Sequence, residues 1–365
     1  MEDGRPRPSL IMLTQDGRGA RPPSSQCGTP KTPVPGYNAV VSSQPEQHMQ
    51  CMEVWGGSQL TSAGVEMGGL NVWVYSKPFG EAQRGGDVYY ASSCATGRIS
   101  RLLLADVSGH GTSVAATAAD LRTLMRRFVN RLDQAEFVRL LNQQFIALSQ
   151  SATFATAVVT TFFAPTRRLT VCNAGHPRPF LYRASDRQWD FLGNDDDGST
   201  KKSKPQNIPL GLLGLAEYEH VDVELQPGDC VLSYTDALVE SSDADGEMLG
   251  ESGLLRIMRL IGDVEPQKLI ETLLTEIEER YPENLAKDDV TLMLVRASGL
   301  QSQHPLLEKV KARMRFAGSI IRGLNPWGER APLPDLNLAN MGGAIVPALS
   351  RRWRARGAGN RPPSA

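Results

Sequence analysis

The sequence predicts an α+β fold in which antiparallel strands and helices gather into separate layers. Three observations predict it. Short β-branched or aromatic runs lie on either side of tight turns, at hairpin spacing. Ahead of residue 298, helical periodicity falls in two blocks, one after Gly111 and one after Gly253. Between these blocks strands follow strands, without the strand–helix alternation of a doubly wound parallel sheet. With 365 residues, 41% of them hydrophobic, the chain can bury a sizeable core.

Residues 1 to about 50 are rich in Pro, Ser, Gly and Gln and show no apolar period, so a disordered tail is expected there. The character changes near Leu70, and a folded domain is expected over 65–298. Val72-Trp73-Val74-Tyr75 reads as a strand, followed by the turn Lys77-Pro78-Phe79-Gly80. Strands from Val88 to Ser93 and from Ile99 to Val107 flank a turn at Ala95-Thr96-Gly97. A helix follows with Ala115, Ala119, Leu121, Leu124, Met125 and Phe128 on one face, then a second from an Asp133 N-cap to Leu148. Strands at 154–163 and 169–173 and a hairpin from Pro179 to Leu192 extend a β-meander. Residues 193–207 read as a polar loop. Strands at 220–225 and 230–234, helices at 253–261 and 266–280 and a closing strand at 290–295 complete the domain. Residues 299–365 form a basic extension. Within 305–324 the apolar residues Leu306, Leu307, Val310, Met314, Ala317, Ile321 and Leu324 recur at helical spacing. That segment is compatible with a membrane surface or a partner, and equally with packing on the domain or with a solvated tail.

Composition excludes several classes. There are 39 basic and 40 acidic residues, a formal net charge of −1, so no global field draws the chain to nucleic acid. The five cysteines, Cys27, Cys51, Cys94, Cys172 and Cys230, are scattered, with no Cys-x-x-Cys pair. That signals neither a disulfide framework nor a zinc site. Met1 to Leu13 lacks the apolar run of a signal peptide, and no stretch reaches bilayer length, so a cytoplasmic protein is expected.

Four acidic residues share one local setting. Asp87 follows Gly85-Gly86, Asp106 ends the run Leu102 to Ala105, Asp236 ends the run Val231 to Tyr234, and Asp288 opens the strand at Val290. Any one of them alone reads more readily as a turn former or helix cap. Together, at the rigid ends of buried strands, they suggest a shared site, because such carboxylates are costly unless paired or holding a cation. A hard, oxygen-only set suits magnesium or manganese. Two neighbouring cations need this much negative charge, and a water between them becomes a nucleophile at neutral pH. The chain has no Cys-x5-Arg loop, Gly-x-Ser-x-Gly elbow or His-x-His pair to suggest other chemistry.

These residues fall in a series of ordered motifs. They are Gly85-Gly86-Asp87, Leu104-Ala105-Asp106-Val107-Ser108-Gly109-His110-Gly111, Asn173-Ala174-Gly175-His176-Pro177, Pro209-Leu210-Gly211-Leu212, Tyr234-Thr235-Asp236-Ala237-Leu238-Val239-Glu240 and Asp288-Asp289-Val290-Thr291-Leu292. The series resembles the SpoIIE-like branch of the metal-dependent protein phosphatases (PPM, the type 2C class), over about Leu70 to Ala297. The resemblance implies an αββα sandwich of two antiparallel sheets flanked by helices. It further implies two Mn2+ or Mg2+ ions and hydrolysis of phosphoserine or phosphothreonine. Asp87, Asp106, Asp236, Asp288 and the backbone carbonyl of Val107 would be the metal ligands, with Asp106 as the bridge at the catalytic centre. Asp289, where related enzymes often carry Asn, is taken as a neighbour. His110 has two readings, a general acid for the leaving group or a shaper of its glycine loop. His176 reads as structural, and Arg84 as solvent-exposed though within reach of a substrate phosphate.

Ala237 stands where the family usually has Gly, which would be strained if that position needed positive φ and harmless if a helix starts there. By the same resemblance the substrate is a phosphorylated regulatory protein, such as an anti-sigma-factor antagonist. The helices over 115–148 would tune metal binding, in a homodimer among other states. The alternative is a non-catalytic partner-binding member of the fold, which a missing aspartate would favour; none is missing. A magnesium-dependent nucleotide enzyme is disfavoured because no Walker-type or kinase glycine loop occurs.

Overall fold

Side-chain alternation along the strands sets the layers of this fold. The computed structural model describes residues 47–49, 54–94, 98–109, 112–128, 131, 133–148, 153–193, 207–281 and 283–299. One sheet contains, in spatial order, β11 (Val221–Glu224), β8 (Arg168–Ala174), β7 (Ala155–Phe163), β6 (Ile99–Val107), β5 (Asp87–Ser93) and β2 (Val54–Gly57). The other contains β1 (Gln47–His48), β3 (Thr61–Met67), β4 (Leu70–Lys77), β13 (Val290–Ala297), β12 (Cys230–Tyr234), β9 (Phe180–Arg183) and β10 (Gln188–Phe191). All pairs are antiparallel except the short β1, which joins β3 in parallel.

Because successive side chains of β6 point to opposite faces, Leu102 and Leu104 enter the gap between the sheets, with Val72, Val74, Tyr89, Val158, Val231, Met293 and Val295. Leu103, Ala105 and Val107 face outward. They pack under Leu121, Leu124, Met125, Phe137, Leu141 and Phe145 of α1 (Thr112–Arg127) and α2 (Gln134–Leu148). On the far side α3 (Gly250–Ile261) and α4 (Pro266–Arg280) cover the second sheet through Leu254, Met258, Leu273 and Ile277. The result is the αββα order. No helix among the described residues is long and apolar enough to cross a membrane.

Several expectations are refined. The sheets recruit β1, β2 and most of β3, ahead of residue 65, and β1 with the buried Met49 falls inside the expected 1–50 tail. The buried face of α1 runs through Val114, Ala118, Leu121, Met125 and Phe128, and Ala119 is exposed. Asp133 does cap α2, its Oδ1 accepting the Glu136 backbone N–H at 2.7 Å. The meander ends at β8, because β9 and β10 belong to the other sheet. The chain changes sheets at Asn173–His176. There the Asn173 side chain accepts the His176 N–H at 2.8 Å and donates to the His176 carbonyl at 2.7 Å, and Gly175 takes a φ of +70° against Pro209. Residues 1–46, 194–206 and 300–365, with the 305–324 segment, lie outside the described residues, as does His110.

Candidate metal centre

At one edge of the sandwich the side chains filling the gap change from apolar to oxygen-bearing. The series along β5 runs Ala91, Tyr89, Asp87, and along β6 Leu102, Leu104, Asp106. Asp87 and Asp106 are direct partners across these two strands. In the opposite sheet β13 contributes Val295, Met293 and then Thr291, and β4 contributes Val72, Val74 and then Ser76. At the same edge β12 is followed by Thr235 and a 3-10 turn, Asp236–Leu238, while Asp288 stands just ahead of β13.

The loop that delivers Asp87 is tied down by Asp289. Its carboxylate accepts the backbone N–H groups of Phe79 at 2.6 Å, Gly86 at 2.5 Å and Asp87 at 3.3 Å. A Cβ on Gly85 would collide with that carboxylate, and one on Gly86 would sit 2.8 Å from the Val107 carbonyl oxygen and 2.9 Å from Val114 Cγ1. The glycine pair is therefore what lets the loop close against the end of β6. Asp289, with its oxygens engaged in this way, acts as an anchor for the loop, in keeping with its reading as a neighbour.

Burial, then Asp106 and Asp289, push the Asp87 carboxyl well above the ordinary range, against hydrogen bonds from the Thr291 and Thr235 hydroxyls. Burial first, then Asp236, Asp288, Asp289 and Glu240, raise Asp106 from 3.8 to about 7. Asp236 is raised by burial, Glu240 and Asp288. Asp106 thus links the set: Asp87 lies in its field, and it lies in the fields of Asp236, Asp288, Asp289 and Glu240. Among the described residues none of them forms an ion pair with lysine or arginine. Nor, among those residues, do three acidic, histidine or cysteine side chains close on a single point as a finished cage. The set nevertheless fits a hard divalent cation by its chemistry: every donor is oxygen, and the negative charge is uncompensated.

Other candidates are placed as follows. His176 is buried, its Nδ1 lies 2.8 Å from Thr156 Oγ1, and burial lowers its pKa to about 3, so it is a neutral corner residue. Arg84 is exposed beside the glycine pair. Ala237 lies in the 3-10 turn and is not among the positive-φ residues, so replacing the family's glycine costs nothing there. Burial pushes the thiols of Cys172 and Cys230 up to about 12, which removes them as nucleophiles. Sequence reasoning missed Thr235, Thr291 and Ser76. Two of them lay inside quoted motifs, but a threonine at a strand end reads first as a strand former.

A family model described as Stage II sporulation protein E (SpoIIE) matches residues 97–298. The chain belongs to the SpoIIE family. It therefore carries a SpoIIE-type phosphatase domain. No curated protein matches it. Among solved structures this SpoIIE-family chain is similar to the SiaA-PP2C domain of Pseudomonas aeruginosa, at 18% identity, over 62% of this chain and 84% of that one, with a TM-score of 0.50. It is similar to the RsbU and RsbW domains of a Mycobacterium tuberculosis protein, at 20% identity, over 77% and 72%, TM-score 0.48. It is also similar to the PP2C phosphatase domain with a regulatory fragment of SpoIIE from Bacillus subtilis, at 18% identity, over 68% and 64%, TM-score 0.48. Identities this low bear on the fold alone, and the Pseudomonas domain agrees with the αββα order.

Proposed function

We propose that this SpoIIE-family chain hydrolyses phosphoserine or phosphothreonine on a regulatory protein, using two Mn2+ or Mg2+ ions held by Asp87, Asp106, Asp236, Asp288 and the Val107 carbonyl. The observation that carries the reading is the uncompensated carboxylate cluster at the sheet edge, with Asp106 in the field of Asp236, Asp288, Asp289 and Glu240. Bound there, the cations supply a nucleophile at neutral pH and neutralise phosphoryl charge. The chain's own part is to hold these oxygens ready. Asp87 and Asp106 are fixed by their strand pairing, Asp236 by the turn after β12, and the Asp87 loop by Asp289. Ser108, beside the cluster, accepts the Phe154 N–H at 3.0 Å and closes β6 on β7, a structural task rather than a nucleophilic one.

With no cation present, Asp106 exchanges a proton near neutral pH, so metal uptake near pH 7 is expected to release protons. His110 is carried as a candidate general acid. An anti-sigma-factor antagonist is the proposed substrate class, and the cytoplasm the proposed location. The deciding assay is turnover of an aryl phosphate by purified protein with Mn2+, with chelator, and as Asp106→Asn. Turnover confined to the metal-loaded wild type is expected. Turnover that persists in chelator or in the variant sinks the two-metal reading, and none with any metal favours a non-catalytic regulator.

A further inference from the structure

Thr235 occupies the N-cap position of the 3-10 turn Asp236–Leu238, with φ −81° and ψ 166°. A threonine there ordinarily turns its oxygen onto a backbone N–H within the helix. Here it makes no such bond. Its Oγ1 reaches across the gap between the sheets and donates to Asp87 Oδ2 at 2.9 Å, while accepting the Thr291 backbone N–H at 2.9 Å. The Thr291 N–H fixes one side of the hydroxyl. The single hydroxyl proton then has two acceptors, the carboxylate at 2.9 Å and the Thr291 carbonyl at 3.4 Å. The carboxylate is both nearer and, when ionised, the stronger acceptor.

Behind this contact the Thr291 hydroxyl lies 3.0 Å from Ser76 Oγ. Thr235 and Thr291 are fully buried and Ser76 nearly so, so the hydroxyl line is closed to bulk water. No backbone ladder joins the two sheets among the described residues. At this edge side chains alone tie Asp87 on one sheet to Asp236 on the other.

We propose that Thr235 is a positioning residue for the metal centre: its hydroxyl sets the Asp87 carboxylate at a fixed orientation relative to Asp236, the next residue along its own chain. The inference rests on the phosphatase reading for its purpose but on binding for its test. A ligating carboxylate left without its hydrogen-bonded partner typically loses about 10–100-fold in metal affinity or activity. Valine at 235 keeps the shape and removes the hydroxyl; serine keeps the hydroxyl.

The experiment measures Mn2+ binding to chelator-stripped protein by calorimetry, the Mn2+ needed for half-maximal turnover of an aryl phosphate, and the melting temperature in chelator. For Thr235→Val the expected result is Mn2+ affinity weakened about 10–100-fold, with turnover largely recovered at saturating metal. Thr235→Ser is expected to bind Mn2+ as the wild type does. A purely structural role would lower the melting temperature and leave metal affinity unchanged. Wild-type affinity in folded Thr235→Val therefore overturns the inference. If the valine variant does not fold, Thr235→Cys, close in size to serine and only a weak donor, carries the same comparison. Wild-type protein that binds Mn2+ without turning over any phosphate removes the phosphatase reading and leaves the binding comparison decisive. Wild-type protein that binds no Mn2+ removes both.

Discussion

Asp106→Asn takes one negative charge out of the aspartate cluster, and the expected product is a metal-free protein that is inactive yet more stable. Burial, then Asp236, Asp288, Asp289 and Glu240, raise the Asp106 carboxyl from 3.8 to about 7. At about 1.4 kcal/mol for each tenfold in proton affinity, keeping that group ionised in the folded state costs at most about 4 kcal/mol. Its partial contact with solvent screens the field, so about 1–3 kcal/mol is the working figure. The unfolded carboxyl ionises near 3.8 and the folded one near 7. The stability linked to protonation is therefore full below about pH 4 and is lost as the pH rises through about 7. At pH 8 the wild type bears the whole repulsion, whereas Asn has nearly the same shape and no charge.

Among the described residues Asp106 makes no side-chain hydrogen bond for the variant to break. For a domain of this size 1 kcal/mol moves the melting temperature by about 2–4 °C. In chelator at pH 8, Asp106→Asn should therefore melt about 2–12 °C above the wild type, and the gap should shrink toward pH 5. Saturating Mn2+ should raise the wild type and leave the variant behind. A variant that melts at or below the wild type at pH 8, or a gap that does not change with pH, refutes the electrostatic argument.

Two other perturbations separate the site from its frame. Gly86→Ala puts a Cβ 2.8 Å from the Val107 carbonyl oxygen, and the Mn2+ needed for half-maximal turnover should rise by about tenfold or more. An unchanged metal requirement would show that the close approach is immaterial. Asp229→Ala acts at the opposite end of β12. Its buried carboxylate accepts the Ala184 N–H at 2.9 Å, the Gln226 N–H at 3.0 Å and the Arg183 guanidinium at 2.7 Å. Chemical denaturation should register a loss of about 2–4 kcal/mol from the broken hydrogen bonds, with Mn2+ affinity of the folded fraction unaltered.

Most elements were legible because their signals were local. Asp133 announced α2, Pro266 opened α4 at its first turn, and β12 is an apolar run behind a Pro-Gly turn. The early strands were not. In β2 and β3, Gly56, Gly57, Ser62 and Gly64 read as turn formers. Gly56 is there because a Cβ would strike the Tyr89 carbonyl at 2.5 Å, a reason visible only once β2 lies on β5. The change of sheet after β8 was equally hidden, since period-two alternation says which face a residue takes and nothing about which sheet receives it. At the centre, the four aspartates could be picked out because each closes or opens a buried strand. Thr235 could not, because its hydroxyl acts on a residue 148 positions away in the chain.

Asp87 and Asp106 ride on one sheet, Asp236 and Asp288 on the other. The two pairs face each other like the jaws of a calliper whose frame is the greasy layer between them. The side chains of that layer, Tyr89, Leu104 and Met293 among them, set how far apart the two carboxylate pairs stand. Packing between the sheets, well away from the carboxylates, thus sets the spacing on which the proposed chemistry depends.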